Sequence, residues 1–480
     1  MNTGTIIDAA AAGDPARAAL IIDGRAISYG ELATAVDRCA AGLAASGLAG
    51  RRVAVVDSAS LLSIATLLGA VRVGAAAALM NPALTPSELR GLLKSAGCAE
   101  VGVAGEASAG RLVEAGATQA LTAADLLGGR DGSVPRPAER VDDRDAVVLF
   151  TSGTTGLPKA VGITNGQLSA RITEFAAPFR PDTAPTVGIM CVPFFHVGGS
   201  LGVLGSLYSG NTSVVQARFD AGEWLRLVQT HRVSTAFVVP TMLQRILDHP
   251  DFCRTDLTSL VAVAYGAAAA PVALVKRAMA ALPHVAFANV FGQTETLGAY
   301  TTLLPDDHRD PHRVGSVGRP LPRVEVRVVD PGTGADVGTG AVGELWVNAS
   351  QSVSDGWLRT GDLARLDADG YIYPSGRLAD TINRAGEKFG PVEVEEAIRS
   401  HPAVSDVAVA GIADEEMGQR VGAAVVARSA VTLEELRSHC RELIAYFKLP
   451  ERLTIVGHIP YNDTGKINRH QLAELIAGGT

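Results

Sequence analysis

A short apolar run, Ala146-Val147-Val148-Leu149-Phe150, leads directly into Thr151-Ser152-Gly153-Thr154-Thr155-Gly156-Leu157-Pro158-Lys159. The run has the length of a buried strand. The loop after it sets four hydroxyl side chains, two glycines and a lysine within nine positions. Such a loop can turn backbone N–H groups, hydroxyls and an ammonium toward one anion, the chemistry a polyphosphate requires. It is not the Walker loop, which needs four residues between its glycines and then Gly-Lys-Ser/Thr. Here only Thr154-Thr155 separate Gly153 from Gly156, and Pro158 precedes the lysine. The same residue types also build ordinary polar turns.

The surrounding pattern predicts an α/β chain. Ala19-Leu20-Ile21-Ile22, Val53-Ala54-Val55-Val56 and Val101-Gly102-Val103-Ala104 read as strands, and residues 29–45 as a helix. Residues 128–145, with Pro135 and Pro137, read as a surface connection. The loop then opens a second α/β stretch that continues to Gln293. Its expected strands are 187–192, 213–215, 235–239, 260–264 and 285–289, with helices over 222–230 and 272–281 between them. That alternation implies parallel sheets with helices on their faces. After Pro305 the texture changes. Val324-Glu325-Val326-Arg327-Val328-Val329 alternates as a half-buried antiparallel strand does, residues 330–334 form a turn, and Gly343-Glu344-Leu345-Trp346-Val347 is another strand. From Leu378 onward the pattern is mixed again: helix 391–400, strands 404–412 and 421–426, helix 433–444. These make a separate domain of ordinary size.

Composition narrows the class. A chain of 480 residues exceeds one core, and 47% hydrophobic with 19% charged residues describes a soluble, ordered protein. A net charge of −8 points away from nucleic acid and anionic membranes as partners. Five scattered cysteines, none with metal-ligand spacing, read as buried free thiols in a reducing cytoplasm. Residues 1–13 lack a basic start followed by an apolar stretch, which points away from a secretory signal. Residues 61–80 nearly reach membrane-spanning length, but Arg72 interrupts them and small residues dominate, so a buried helix followed by a strand is expected. Alanine richness suits a GC-rich bacterial genome.

Further stretches join the loop. Phe291-Gly292-Gln293-Thr294-Glu295-Thr296 follows a strand expected to end at Asn289, at a sheet's carboxyl edge where α/β folds bind ligands. It offers a base-stacking aromatic, a phosphate contact and a Mg2+ ligand. Gly356-Trp357-Leu358-Arg359-Thr360-Gly361-Asp362-Leu363 carries a carboxylate able to bind both hydroxyls of a ribose, and Gly376-Arg377 lies beyond it. Asn462-Asp463-Thr464-Gly465-Lys466-Ile467 puts a lysine on a turn near the end. Taken singly, Thr-Glu could be a helix cap, Gly361-Asp362 a turn, and Lys466 a solvated surface lysine.

In this order, from Ser28-Tyr29-Gly30-Glu31-Leu32 to Lys466, the motifs resemble the adenylate-forming superfamily of acyl-CoA synthetases, peptide-synthetase adenylation domains and luciferases, closest in pattern to a bacterial acyl- or aryl-CoA ligase. The resemblance implies a large N-terminal domain of two α/β subdomains plus a small β-rich subdomain (1–376), a hinge (377–380) and a small, mobile α+β C-terminal domain (381–480). It implies that a carboxylate attacks the α-phosphorus of MgATP, releasing pyrophosphate and leaving an acyl-adenylate that a thiol or amine then captures. By the same resemblance, Thr151, Ser152, Gly153, Thr154, Thr155, Gly156 and Lys159 belong to the β/γ-phosphate and pyrophosphate loop. Thr294 touches the α-phosphate and Glu295 binds Mg2+. Phe291 (usually Tyr in the family), with Gly292 beside it, stacks on adenine, and Gly266-Ala267 line its other face. Asp362 and Arg377 hold the ribose. Lys466 bridges the carboxylate and α-phosphate oxygens. In a second orientation of the C-terminal domain, Gly386 of Ala385-Gly386-Glu387-Lys388-Phe389 lets the pantetheine arm of CoA pass.

The chain departs from the family at three places. The hinge position usually held by Asp or Lys is Ala379, with Asp380 beside it. A segment with a Gly-Tyr is missing before Gly356-Trp357, which would widen the acceptor entrance. Thr164-Asn165 stands where Thr-His is common. Phe194-Phe195-His196-Val197-Gly198-Gly199 matches the acid-side motif, so His196 is the candidate gate of the thiol tunnel, or else a packed core histidine. Val197 and Gly198 stand with His196 on the acid side, and Tyr265 and Ala267-Ala268-Ala269-Ala270 are candidate walls of an apolar slot. The Asp that pairs an α-ammonium in amino-acid-activating relatives is absent, and a buried ammonium without a partner would be costly. The expected enzyme is therefore a cytoplasmic, monomeric or homodimeric ligase joining an uncharged hydrophobic acid to CoA, with ATP and Mg2+. An amine-acylating synthetase and a catalytically silent adenylate-binding protein are the alternatives.

Overall fold

The computed structural model describes residues 1–128, 143–151, 159–176, 185–461 and 466–478. The chain divides into two compact units. The first comprises Met1–Gly266, Ala278–Tyr300 and Gln351–Ser354, the second Ala267–Arg277, Thr301–Ser350 and Asp355–Thr480.

Two sheets organise the first unit. One has six strands in the order Gln119–Leu121, Val101–Ala104, Arg52–Val56, Ala76–Met80, Asp145–Thr151, Lys159–Thr164. Neighbours run parallel except the last pair, which is antiparallel. Within the unit the other sheet runs Ala286–Gln293, Ala262–Gly266, Thr235–Val238, Val187–Met190, Thr212–Val215, Ala18–Ile22, Arg25–Ser28, again parallel except for its last pair. The expected split into two consecutive α/β stretches is therefore wrong in detail. Ala18–Ile22 pairs in parallel with Thr212–Val215, and the strand feeding the hydroxyl-rich loop joins the sheet of the first stretch. Long-range pairing leaves no local trace. Here it is fixed by contacts such as the buried Tyr29 hydroxyl donating to the carbonyl of Asn211 at 2.8 Å.

Local signals set the helices. Ser28 caps Tyr29–Ala45 reciprocally: its hydroxyl accepts from Glu31 N–H, and the Glu31 carboxylate accepts from Ser28 N–H. The apolar segment 61–80 forms the helix Leu61–Arg72 and the strand Ala76–Met80, as expected. Every helical residue from Leu62 to Arg72 is buried, and each fully buried leucine contributes about 1.5–3 kcal/mol. Arg72 survives inside because its guanidinium donates to the Gly4 carbonyl at 2.7 Å and pairs with Asp8 and Asp37. Among the described residues no helix is long and apolar enough to cross a membrane.

The second unit holds a four-stranded antiparallel sheet, Val324–Val329, Val342–Ala349, Leu358–Leu366, Ile372–Arg377, and a mixed sheet, Glu387–Phe389, Ile382–Arg384, Gly418–Ala427, Val404–Asp414, with Arg452–Ile455 added parallel to Gly418–Ala427. Helices Pro391–Arg399, Leu433–Cys440 and Arg469–Gly478 belong to it too. The helix expected to reach residue 444 stops at Cys440, where the chain turns into Tyr446–Lys448. The cysteines also need correction. Cys39, Cys191 and Cys440 are buried, and burial pushes their thiols up to about 12, 12 and 11, whereas Cys253 is exposed on the short turn Phe252–Arg254.

Candidate active site

In the first unit, Thr151 ends one strand and Lys159 begins the next, and the two are register partners at the neck of the loop. Ser152, Gly153, Thr154, Thr155 and Gly156 lie outside the described residues. Strand Lys159–Thr164 runs straight into helix Asn165–Ala176. The Thr164-Asn165 departure has a structural reason, since the buried Asn165 side chain accepts from Thr3 N–H at 2.9 Å and anchors the N-terminal turn.

The second motif sits differently from expectation. The strand does not end at Asn289 but continues to Gln293, so Phe291 and Gly292 are strand residues, and Thr294–Thr296 is a single 3-10 turn. Phe291 is half-buried, edge-on to Tyr300 with ring centroids 5.4 Å apart. Two glycines are sterically required here. A Cβ at Gly292 would lie 1.9 Å from the Gly298 carbonyl oxygen, and one at Gly266 would lie 2.0 Å from that of Val290. Thr296, fully buried, donates to Gly298 O at 2.8 Å and accepts from Gln293 N–H. These bonds hold Thr294 and Glu295, both partly exposed, at the apex of the turn.

His196 caps helix Val197–Tyr208, its ring 4.6 Å from that of Phe195, and its carbonyl accepts from Ser200 N–H at 3.0 Å. Val197 and Gly198 occupy the helix's first turn, and Gly198 leaves only 3.0 Å between a would-be Cβ and the Phe237 ring. Tyr265 is wholly buried, with burial pushing its phenol up. Ala267 adopts a left-handed backbone (φ 66) and is exposed, while Ala268 is half-buried.

In the second unit Asp362 is not on a turn. It lies within strand Leu358–Leu366 opposite Arg377, whose Nε is 2.8 Å from its Oδ1. The Asp362 side chain is 11% exposed, and burial raises its pKa, opposed by the positive charges of Arg377 and Lys466. The structure thus brings together three residues that the sequence separates widely. Lys466 is exposed and sits just before the bridge that pairs Ile467 with Tyr461; residues 462–465 lie outside the described residues. Three residues on, half-buried Arg469 pairs with Glu395 and, at 3.4 Å, with Asp380 beside Ala379. Gly386 (φ 92) and Ala385 (φ 52) form the two-residue turn between Arg384 and Glu387.

Sequence reasoning missed a set of supporting residues. Arg171 donates to the Leu297 carbonyl at 3.1 Å and to the Ala299 carbonyl, Gln167 donates to the Ser352 carbonyl at 3.0 Å, and Val353 N–H donates to the Glu295 carbonyl at 2.9 Å. No short motif marks them, because each acts on backbone far away in sequence.

The AMP-binding enzyme family matches residues 7–358, and its C-terminal domain matches residues 393–466. The chain belongs to the AMP-binding enzyme family. It is 31% identical over 497 residues to a fatty acid–[acyl-carrier-protein] ligase of Streptomyces coeruleorubidus, covering 97% of this chain and 94% of that one. Among solved structures, this AMP-binding enzyme resembles the amide bond synthetase of Marinactinospora thermotolerans (TM-score 0.88, 27% identity, 98% and 99% of the two chains). It also resembles the o-succinylbenzoate coenzyme A synthetase of Bacillus subtilis in complex with ATP and magnesium ion (TM-score 0.86, 26% identity, 98% and 99%). The fold is that of the adenylate-forming enzymes, with a large N-terminal and a small C-terminal domain, and the chain is an AMP-forming ligase whose family includes acid–CoA and acid–carrier-protein ligases.

Proposed function

We propose that the protein activates an uncharged hydrophobic acyl or aryl acid as its adenylate and passes the acyl group to the thiol of CoA. The carboxylate oxygen forms a bond to the α-phosphorus as the bond to the pyrophosphate oxygen breaks. The thiol sulfur then attacks the acyl carbon, its proton goes to solvent, and AMP leaves with the C–O bond's electrons. Positioning and charge neutralisation carry most of such a transfer.

The observation that carries the reading is the Asp362–Arg377–Lys466 group. A buried carboxylate flanked by two cations suits a ribose diol on one side and the reacting carboxylate and α-phosphate on the other. Thr151 to Lys159 would hold the outer phosphates, and Phe291 with Gly292, Gly266 and Ala267 the adenine. The partly exposed Thr294 hydroxyl and Glu295 carboxylate are oxygen donors of the kind Mg2+ takes alongside phosphates. When bound there, Mg2+ would neutralise phosphate charge. Division into 1–376, a hinge at 377–380 and 381–480 would let Lys466 serve the first step and the Ala385-Gly386 turn the second. His196, Val197, Gly198, Tyr265 and Ala268 would face the acid, in the cytoplasm and without a membrane or nucleic-acid partner.

The likeness to an amide bond synthetase over nearly the whole chain favours one other acceptor, an amine. A panel of acids separates the two. Pyrophosphate release that turns over only with CoA, with acyl-CoA seen by mass spectrometry, supports the thiol. Turnover with an amine and indifference to CoA supports the amide former. No release with any acid refutes both.

A further inference from the structure

The turn presenting Thr294 and Glu295 is closed from within by Thr296, but the backbone that leaves it is strained. Directly after it, Leu297 takes a left-handed conformation (φ 48, ψ 51) and Gly298 another (φ 87). For a non-glycine residue that geometry costs about 1–2 kcal/mol, and such strain persists only where surroundings over-determine it. What over-determines it is visible. Arg171, 3% exposed, spends its Nε and Nη2 on the carbonyls of Leu297 and Ala299, and its Nη1 pairs with Glu174 at 2.9 Å.

One turn earlier on the same helix face, Gln167 makes a second attachment. Its amide oxygen accepts from Thr164 N–H at 3.0 Å, at the helix start, while its Nε2 donates to Ser352 O. Val353 N–H, next along, donates to the Glu295 carbonyl. The helix Asn165–Ala176 that directly continues the strand of Lys159 therefore grips the Glu295 turn twice, once through Arg171 and once through the 352–353 dipeptide. The residues left in the shortened segment are built into this brace.

We infer that Arg171 is a positioning residue: it fixes the Thr294–Glu295 turn relative to the strand that follows the phosphate loop, so that metal and α-phosphate ligands stand in place before ATP arrives. This rests on the proposed role of Glu295. Arg171 touches no substrate; it acts through the carbonyls of residues 297 and 299.

The test uses the full chain with Arg171→Met and Arg171→Lys. Loss of a residue that orients metal ligands typically costs 10- to 100-fold. Arg171→Met is expected to lower kcat for acid-dependent pyrophosphate release by about that factor, to weaken Mn2+ binding in the presence of ATP (read by electron spin resonance) comparably, and to leave the KM for the acid unchanged. Amide hydrogen exchange over residues 290–300 should accelerate while the rest of the first unit keeps its protection. Arg171→Lys, which keeps the charge but has a single donor nitrogen, should recover part of each loss. A folded Arg171→Met protein with wild-type kcat and Mn2+ affinity overturns the inference, as does faster exchange spread evenly over the first unit. Absence of pyrophosphate release from the wild type would refute the proposed function instead, and the exchange and Mn2+ measurements would still decide the brace.

Discussion

Asp362→Asn separates what the candidate site does for chemistry from what it costs the fold. The Asp362 side chain is 11% exposed, and burial raises its pKa even with Arg377 and Lys466 nearby. Arg377 is 45% exposed, so solvent screens the pair and its loss removes about 1 kcal/mol or less. Removing the charge offsets that, since burial disfavours this carboxylate even beside its cations and the Arg377 left behind is half in solvent. The expected change at pH 7.5 lies between zero and a gain of about 2 kcal/mol, a rise of roughly 0–8 °C in Tm. The pH dependence has a definite sign. A folded pKa above the unfolded value of about 3.9 means the wild type loses stability as pH rises from there through the folded value. The variant lacks that loss, so its advantage should grow with pH and then level off. Catalysis should move the other way. Charge-assisted hydrogen bonds to a ribose diol are worth about 1.5–3 kcal/mol, which is roughly 10- to 150-fold in kcat/KM for ATP. Differential scanning fluorimetry from pH 5 to 8 and pyrophosphate release on the same preparations read both. A variant that melts more than about 4 °C below wild type, or that keeps the wild-type kcat/KM for ATP, refutes the reasoning.

Lys466→Ala should lower pyrophosphate release by at least about 100-fold, the usual loss for a transition-state donor, yet spare acceptor capture of a supplied acyl-adenylate; equal loss in both steps would contradict a two-orientation C-terminal domain. Arg72→Met strips Asp8, Asp37 and the Gly4 carbonyl of a side chain only 2% exposed. Urea unfolding should show a loss of about 3–5 kcal/mol with kcat intact at 20 °C, and a loss under 1 kcal/mol would mean that the N-terminal turn is held by other contacts.

How much of this was legible in the sequence depended on range. Elements set by neighbours read correctly: apolar residues at helical spacing marked Tyr29–Ala45, and period-two alternation marked Val324–Val329. Leu358–Leu366 and Ile372–Arg377 went unread because Gly361 (φ 72) and Gly376 (φ 125) interrupt their patterns, and such glycines inside a strand look like turns. The motif containing Asp362 was recognised while its strand was not. Sheet membership could not be read either, since Leu20 finds Ser213 only through tertiary packing. The supporting residues were invisible for a related reason: Arg171 and Gln167 recognise carbonyls, which every residue carries.

The strained positions can be set beside the candidate residues. Among the described residues six non-glycines have positive φ: Asp23, Arg232, Ala267, Leu297, Arg323 and Ala385. Three of them, Ala267, Leu297 and Ala385, border stretches that the resemblance assigns to adenine, to the α-phosphate and metal, and to the second half-reaction. Local propensity opposes each of these conformations, so each needs support from outside its own segment. For Leu297 that support is the Arg171 guanidinium, and for Ala385 it includes the 2.8 Å bond from its N–H to the Met417 carbonyl. A segment bent against its own preference by distant donors keeps its geometry when a ligand comes and goes. An active site that must bind ATP, release pyrophosphate and still hold an adenylate depends on that constancy, and the strain is where it shows.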